Sequence, residues 1–220
     1  MTDKPIGILG GTFDPVHRAH LQLAADACVQ LDLAQVLWIP SGNPPHREPP
    51  HASAGHRLAM VALAIHETGG HDRFMLDDSE VRSHAPSYTV TTLQRLRAIH
   101  GTRALVLLLG VDAFLGLAGW YPWRELFAFA HIAIATRPGY VLDPRQMDAA
   151  LREEYLARRS EEFSCLTMQP AGSIIEFAIA PLEISASSIR AKLAAGQDAQ
   201  DLLPRTVLDY IANNHLYSAH

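Results

Sequence analysis

Gly10-Gly11-Thr12-Phe13-Asp14-Pro15-Val16-His17-Arg18-Ala19-His20 puts two glycines and two histidines into one short stretch. It follows an apolar run, Ile6 to Leu9, and leads straight into the helical pattern Leu21, Leu23, Ala24, Ala27, Cys28. A strand, a glycine turn and a helix start in that order read as a phosphate site. Glycines leave backbone N–H groups free to approach an anion, and the helix start adds aligned donors and the positive end of its dipole. His17 and His20, three apart, share a helical face, so both imidazoles can donate to phosphate oxygens. Transfer of a phosphorus group between two anionic partners needs such donors, with the imidazoles stabilising charge rather than acting as nucleophiles. A Gly-Gly pair alone would indicate only a tight turn, and the paired histidines shift that balance. No Gly-Lys-Ser/Thr follows the glycines, and the three spaced glycines of the dinucleotide fingerprint are missing.

The elements that must hold this stretch follow from hydrophobic patterning. Apolar runs at Ile6–Leu9, Val36–Ile39, Phe74–Leu76, Leu105–Leu109, Ile132–Ala135 and Ile174–Phe177 suit strands, several of them too uniformly apolar for a sheet with one wet face. Between them lie the amphipathic stretches Leu21–Ala34, Arg57–His66, Val90–His100 and Trp123–Phe129, long enough to cross back over that sheet. The alternation predicts an α/β fold, a mostly parallel sheet with helices on both faces. Asp143-Pro144 reads as a cap and first turn of a helix running through Arg158, and Ser185 or Ser187 as the cap of another reaching Ala195. Pro204 opens a last helix, with Val207, Leu208 and Ile211 on one side, ending near Asn213-Asn214.

With 220 residues, 48% hydrophobic and 19% charged, one domain spanning 1–220 is expected, its C-terminal helical segment at about 185–217 included. A net charge of −5 without any lysine or arginine run argues against nucleic acid as a partner. Cys28 and Cys165 stand far apart, which supports neither a disulfide framework nor a zinc site and fits a reducing cytoplasm. The twelve histidines are scattered, without a His-Glu-x-x-His grouping. No signal peptide or membrane-length apolar stretch is expected, and monomer and homodimer both stay open.

Further residues carry possible chemistry. Ser41-Gly42-Asn43-Pro44-Pro45-His46-Arg47 sets an amide, an imidazole and a guanidinium on a proline-stiffened loop after a strand, where open α/β sheets collect ligands. Pro86-Ser87-Tyr88-Thr89-Val90 precedes a helix, and Trp120-Tyr121-Pro122-Trp123 supplies aromatic faces, Trp123 being the better candidate for plain packing. Asp112, in Gly110-Val111-Asp112, is either a helix cap or a carboxylate near a ligand. Ile184-Ser185-Ala186-Ser187-Ser188-Ile189-Arg190 brings hydroxyls, a helix start and an arginine together; a cation in the first turns of a helix opposes its dipole, and a nearby anion would remove the conflict.

Together these motifs resemble the His-x-Gly-His nucleotidylyltransferase superfamily, whose members join a nucleoside triphosphate to a phosphorylated acceptor and release pyrophosphate. Ala19 departs from the glycine usual before the second histidine. The Asn43–Arg47 and Pro86–Thr89 segments resemble one branch, the bacterial nicotinate-nucleotide adenylyltransferases, and the likeness runs from Ile6 to Tyr217, weakest across Asp143–Ser173. The resemblance implies a Rossmann-like fold and transfer of adenylyl from ATP to nicotinate mononucleotide, giving deamido-NAD. It implies that His17, His20 and Arg190 are catalytic. ATP would be bound by Gly10, Gly11, Thr12, Phe13, His20, Gly110, Asp112, Ile184, Ser185, Ser188 and Arg190. The acceptor would meet Asn43, His46, Arg47, Tyr88, Thr89, Trp120 and Arg137, with exposed N–H groups at the helix start receiving the nicotinate carboxylate. Mg²⁺ would come with ATP, held mainly by its phosphates rather than by a protein site. The alternatives are a sibling that acts on nicotinamide mononucleotide or phosphopantetheine or transfers cytidylyl, against which Tyr88, Thr89 and Trp120 speak, and a non-catalytic nucleotide-binding regulator.

Overall fold

The computed structural model describes residues 4–44, 49–69, 72–180 and 182–218. Its strands are β1 (Ile6–Gly11), β2 (Gln35–Pro40), β3 (Phe74–Leu76), β4 (Leu105–Gly110), β5 (His131–Thr136), β6 (Arg159–Ser160) and β7 (Ile174–Ala178). They form a seven-stranded sheet in the order β3-β2-β1-β4-β5-β7-β6. The β1/β4, β4/β5, β5/β7 and β6/β7 pairs are all parallel, which matches the uniformly apolar runs: β5 is buried along its whole length and β4 nearly so. The fold is therefore the expected α/β one. The strand order reverses after β1, and ligands of open α/β sheets gather beyond the carboxyl ends of strands at such a point. β1 ends in Gly10-Gly11.

The helices are α1 (Arg18–Gln30), α2 (Ala54–Glu67), α3 (Ser79–Arg82), α4 (Thr89–His100), α5 (Val111–Leu115), α6 (Leu126–Phe129), α7 (Ala149–Arg158), α8 (Cys165–Met168), α9 (Ala186–Ala194) and α10 (Arg205–Asn213). None of the described helices is long and apolar enough to cross a membrane. By contacts the chain divides into two compact units. One comprises Met1–Leu9, Ala24–Val36 and Tyr88–Pro181, the other Gly10–Leu23, Leu37–Ser87 and Leu182–His220.

Three expectations about elements need correction. The helix after the glycine turn starts at Arg18, three residues before Leu21, because the His17 carbonyl already accepts the His20 and Leu21 N–H groups. The single helix expected from Asp143 to Arg158 is two pieces. Asp143 caps only a 3₁₀ turn, Pro144–Gln146; Met147 is extended and buried, and Asp148 then caps α7 through the Ala150 N–H. Burial of Met147 and a second cap outweigh continuity of the helical pattern. Trp123–Phe129 is likewise a 3₁₀ turn, Trp123–Glu125, followed by the short α6, and no crossover helix. The expected cap at Ser185 is present: its side chain accepts the Ser188 N–H.

In the second unit, α2 and α10 are tied at two points. Glu67 at the end of α2 accepts the Arg205 and Thr206 N–H groups at 3.0 and 2.7 Å, capping α10; burial raises its pKa, but these bonds, with that from the Thr206 hydroxyl, outweigh it and hold the carboxyl below the usual range. His56 Nδ1 and the Tyr210 hydroxyl lie 2.9 Å apart. Val207 and Ile211 bury the apolar face of α10, so the chain beyond it is delivered in a fixed direction.

Candidate active site

The signature stretch is built by its own backbone. Ser41 N–H donates to the Gly11 carbonyl at 2.9 Å, pinning the end of β1. Phe13 adopts a left-handed conformation, φ 51°, which is strained for a residue with a side chain. The strain places its ring edge-on to His20, 5.0 Å between centroids, and against Trp38 at 5.6 Å. A Cβ on Gly11 would press on that ring at 3.1 Å, whereas one on Gly10 meets no atom within 4 Å. Gly11 thus makes room for Phe13, and the space over Gly10 is open.

The His17 and His20 rings stack, 3.7 Å between centroids and 27° apart. The backbone N–H of His17 donates to His20 Nδ1 at 3.2 Å, so that nitrogen accepts and the ring proton sits on Nε2. His17 Nδ1 is buried without a hydrogen-bond partner. An orphaned lone pair costs less than an orphaned N–H, which puts the His17 proton on Nε2 as well. Burial lowers the His17 pKa to about 4; burial and then the His17 charge hold His20 well below its ordinary value. Two neutral imidazoles, each with an Nε2–H donor, stand at the start of α1.

The second motif comes to the first through Arg190. Ser185 caps α9, Ser188 Oγ donates to the Ser185 carbonyl at 2.8 Å, and Ile189 is fully buried, which fixes the first turn. Arg190 Nη1 then donates to the Asp14 carbonyl at 2.7 Å across a separation of 176 residues. Ser185 and Ser188 themselves are exposed and Ile184 half-buried. Thr12 contributes its carbonyl, which accepts from Arg57 at 2.6 Å.

Arg57 and Asp14 are parts that the sequence reading did not single out. Arg57, 1% exposed, donates to the carbonyls of Thr12, Ala52 and Gly42 and so cross-links the signature stretch with both ends of the loop after β2. Burial lowers its pKa, opposed by Asp14 and Tyr217. A signal existed: Arg57 lies on the face of α2 that buries Met60, Val61 and Ala64, where an arginine is costly unless it is fully bonded. Asp14 is buried and accepts from the His51 N–H at 2.8 Å, the Ala52 N–H at 3.0 Å and the Tyr217 hydroxyl at 2.7 Å.

Of the loop after β2, Asn43 is exposed, while His46 and Arg47 lie outside the described residues. Gly42 and Asn43 N–H groups both donate to Ser87 Oγ, at 3.0 and 3.1 Å, and Ser87 N–H returns a bond to the Asn43 carbonyl. A Cβ on Gly42 would collide with the Glu80 carbonyl, so only glycine fits there.

The remaining expected residues belong to the first unit. Tyr88 is the cap residue of α4 without a side-chain cap bond, and no acidic residue occupies the first turn, which Thr89 opens. Tyr88 meets Tyr121 edge-on at 6.5 Å. Trp120 is half-buried after a 3₁₀ turn, whereas Trp123 is buried under the Arg124 guanidinium at 4.7 Å, as the packing assignment expected. Gly110 is the cap residue of α5; Asp112, in its first turn, is exposed and is not the cap. Arg137, exposed after β5, closes a turn through its carbonyl, which accepts the Tyr140 N–H.

Comparison with known proteins adds to this geometry. The family model described as cytidylyltransferase-like matches residues 8–192. A protein of Dechloromonas aromatica named "Probable nicotinate-nucleotide adenylyltransferase" is 48% identical over 97% of this chain and 98% of its own. One of the same name from Acidithiobacillus ferrooxidans is 40% identical over 99% of this chain and 98% of its own. Among solved structures, a Plasmodium falciparum nicotinic acid mononucleotide adenylyltransferase complexed with APC aligns over 97% of both chains with a TM-score of 0.72. At 20% identity, that likeness speaks for the fold.

Proposed function

The chain belongs to the nicotinate-nucleotide adenylyltransferases, within the cytidylyltransferase-like family, and from that premise we propose how it works. It is an enzyme that transfers the adenylyl group of ATP to nicotinate mononucleotide, forming deamido-NAD and pyrophosphate. The acceptor's phosphate monoester attacks the α-phosphorus; one P–O bond forms as the bond to the β-phosphate bridge breaks, and pyrophosphate leaves with its electron pair. The attacking oxygen is already anionic, so no protein base is required and catalysis reduces to alignment and charge stabilisation. What carries this reading is identity of 48% over nearly the whole of both chains, together with the stacked imidazoles presenting Nε2–H groups at the start of α1.

On this reading we assign the residue roles as follows. The open space over Gly10, with the turn of Gly11, Thr12 and Phe13, shapes the nucleotide site; His17 and His20 donate to phosphate oxygens; Ser185, Ser188 and Arg190, with Ile184, clamp the triphosphate. Gly110 and Asp112 approach the nucleotide at the start of α5. On the acceptor side, the uncapped start of α4 at Tyr88 and Thr89 receives the nicotinate carboxylate, Trp120 stacks on the pyridine ring, and Asn43, His46, Arg47 and Arg137 meet the nucleotide's polar groups. A helix start favours an anion by about 0.3–1 kcal/mol when exposed and up to about 2 when partly buried, so it favours the acid over the amide.

Mg²⁺ fits this chain as a companion of ATP. Among the described residues no group of three or more His, Cys, Asp or Glu can hold a metal ion, and Asp14 is committed to three hydrogen bonds. The ion would be held by the triphosphate and neutralise charge on the departing pyrophosphate. The same proposal places the enzyme in the cytoplasm, in keeping with its two free cysteines, and treats 1–220 as one functional domain, since the family match draws on both units. Pyrophosphate release from ATP, measured in parallel with nicotinate mononucleotide, its amide counterpart and phosphopantetheine, tests the reading. Release is expected with the first by a wide margin; preference for another acceptor, or no release at all, would overturn it.

A further inference from the structure

We propose that Tyr217, three residues beyond the cap of α10, is a positioning residue for the triphosphate clamp: its hydroxyl holds Asp14 so that Arg190, anchored by one bond to the Asp14 carbonyl, keeps its remaining N–H groups for ATP. The inference rests on the adenylyl-transfer reading given above. Asp14 Oδ1 takes the Tyr217 hydroxyl at 2.7 Å and the Ala52 N–H at 3.0 Å, while Oδ2 takes the His51 N–H at 2.8 Å. Oδ2 also stands 3.9 Å from Arg190 Nη1, which donates instead to the Asp14 carbonyl at 2.7 Å. A buried carboxylate must find partners, and here three neutral donors supply them, so the arginine is steadied without being consumed by a tight ion pair. Tyr217 reaches this place in a left-handed backbone conformation, φ 61°, two residues after a second such residue, His215 at 52°. That turn is held from behind by α10, itself clasped to α2 by Glu67 and by the His56–Tyr210 contact. Strain kept in the tail is consistent with a contact that matters. Burial, and then the bond to Asp14, push the phenol's pKa up, so the hydroxyl remains a donor throughout the working pH range.

Removing the hydroxyl leaves the bonds from the His51 and Ala52 N–H groups in place, so the loop after β2 is retained, but Oδ1 loses one donor. Besides the His51 ring, 3.5 Å from Oδ2, the charged group against this carboxylate is Arg190, which would close its 3.9 Å gap and turn away from the triphosphate. Tyr217→Phe is therefore expected to raise the KM for ATP about tenfold while the KM for nicotinate mononucleotide changes less than about twofold. Tyr210→Phe serves as the control, since it loosens the same C-terminal segment at His56 without touching Asp14, and it should lower the melting temperature and leave both KM values alone. ATP affinity measured by calorimetry without acceptor gives a second readout. Tyr217→Phe with an unchanged KM for ATP, or with both KM values raised alike, or matched by Tyr210→Phe, would overturn the inference. An inactive wild-type enzyme with every acceptor would instead overturn the functional reading.

Discussion

The signature stretch and the start of α4 are both phosphate- or carboxylate-sized anion sites in the proposed function, yet they are made differently. Around Gly10–His20 the backbone is held by residues distant in sequence: Arg57 on the Thr12 carbonyl, Asp14 by three donors, Arg190 on the Asp14 carbonyl. At Tyr88–Thr91 the helix start has no side-chain cap, and its neighbours Tyr121 and Trp120 are exposed or half-buried. A triphosphate is common to many reactions and rewards a rigid, preorganised cradle, whereas the acceptor is what the enzyme must tell apart, and selectivity of that kind sits in groups left available to the ligand.

The contrast can be broken most forcefully at Arg57. Arg57→Ala orphans three carbonyls in a buried place and should cost about 3 kcal/mol or more of stability, measured by denaturant unfolding. A loss within error would show that the cradle is not held from within. Next, His20→Ala should lower turnover by about 10²-fold or more, the usual consequence of losing a charge-stabilising donor, with little change in unfolding midpoint. Unchanged turnover would remove His20 from the chemistry.

Acid is the third probe. A histidine whose folded pKa is depressed binds its proton more readily when unfolded, so its contribution to stability is intact above the unfolded value near 6.5 and drains away as pH falls towards the folded value of about 4. For His17 this amounts to about 2 kcal/mol between neutral pH and pH 5, and His17→Asn should flatten that slope. A slope identical in the two proteins would mean that the stacked pair is not neutral. The smallest effect is expected from Trp120→Ala, about tenfold in the KM for nicotinate mononucleotide and little in that for ATP. An equal rise in both would make the side chain a packing residue and erase the distinction between the two regions.

Much of this architecture was legible from one-dimensional patterns. The six apolar runs are six strands of the sheet; those at its centre are apolar at nearly every position because both their faces are buried, whereas the edge strand β3 leaves Met75 and Leu76 exposed. Ser185 as a cap and Trp123 as packing were readable for similarly local reasons, a hydroxyl three residues before an N–H and an indole beside a proline-started turn. Reading failed where local signals competed. From Asp143 to Arg158 the helical pattern is continuous, but Asp148 is as good a cap as Asp143, and nothing in the pattern says that Met147 will be drawn inward.

The amino-acid sequence by itself determined the alternation of strands and helices, the glycine turn at the end of β1 and the spacing that stacks two imidazoles at the start of α1, since propensity, periodicity and capping act between near neighbours. Only the tertiary structure decided that Asp14 becomes the meeting point of His51, Ala52, Arg190 and Tyr217, that Arg57 spans three carbonyls, and that His20 accepts through Nδ1 and keeps its other nitrogen as a donor. Those outcomes depend on polar groups that find partners up to 203 residues away, and desolvation makes such partners compulsory only once the chain has closed around them.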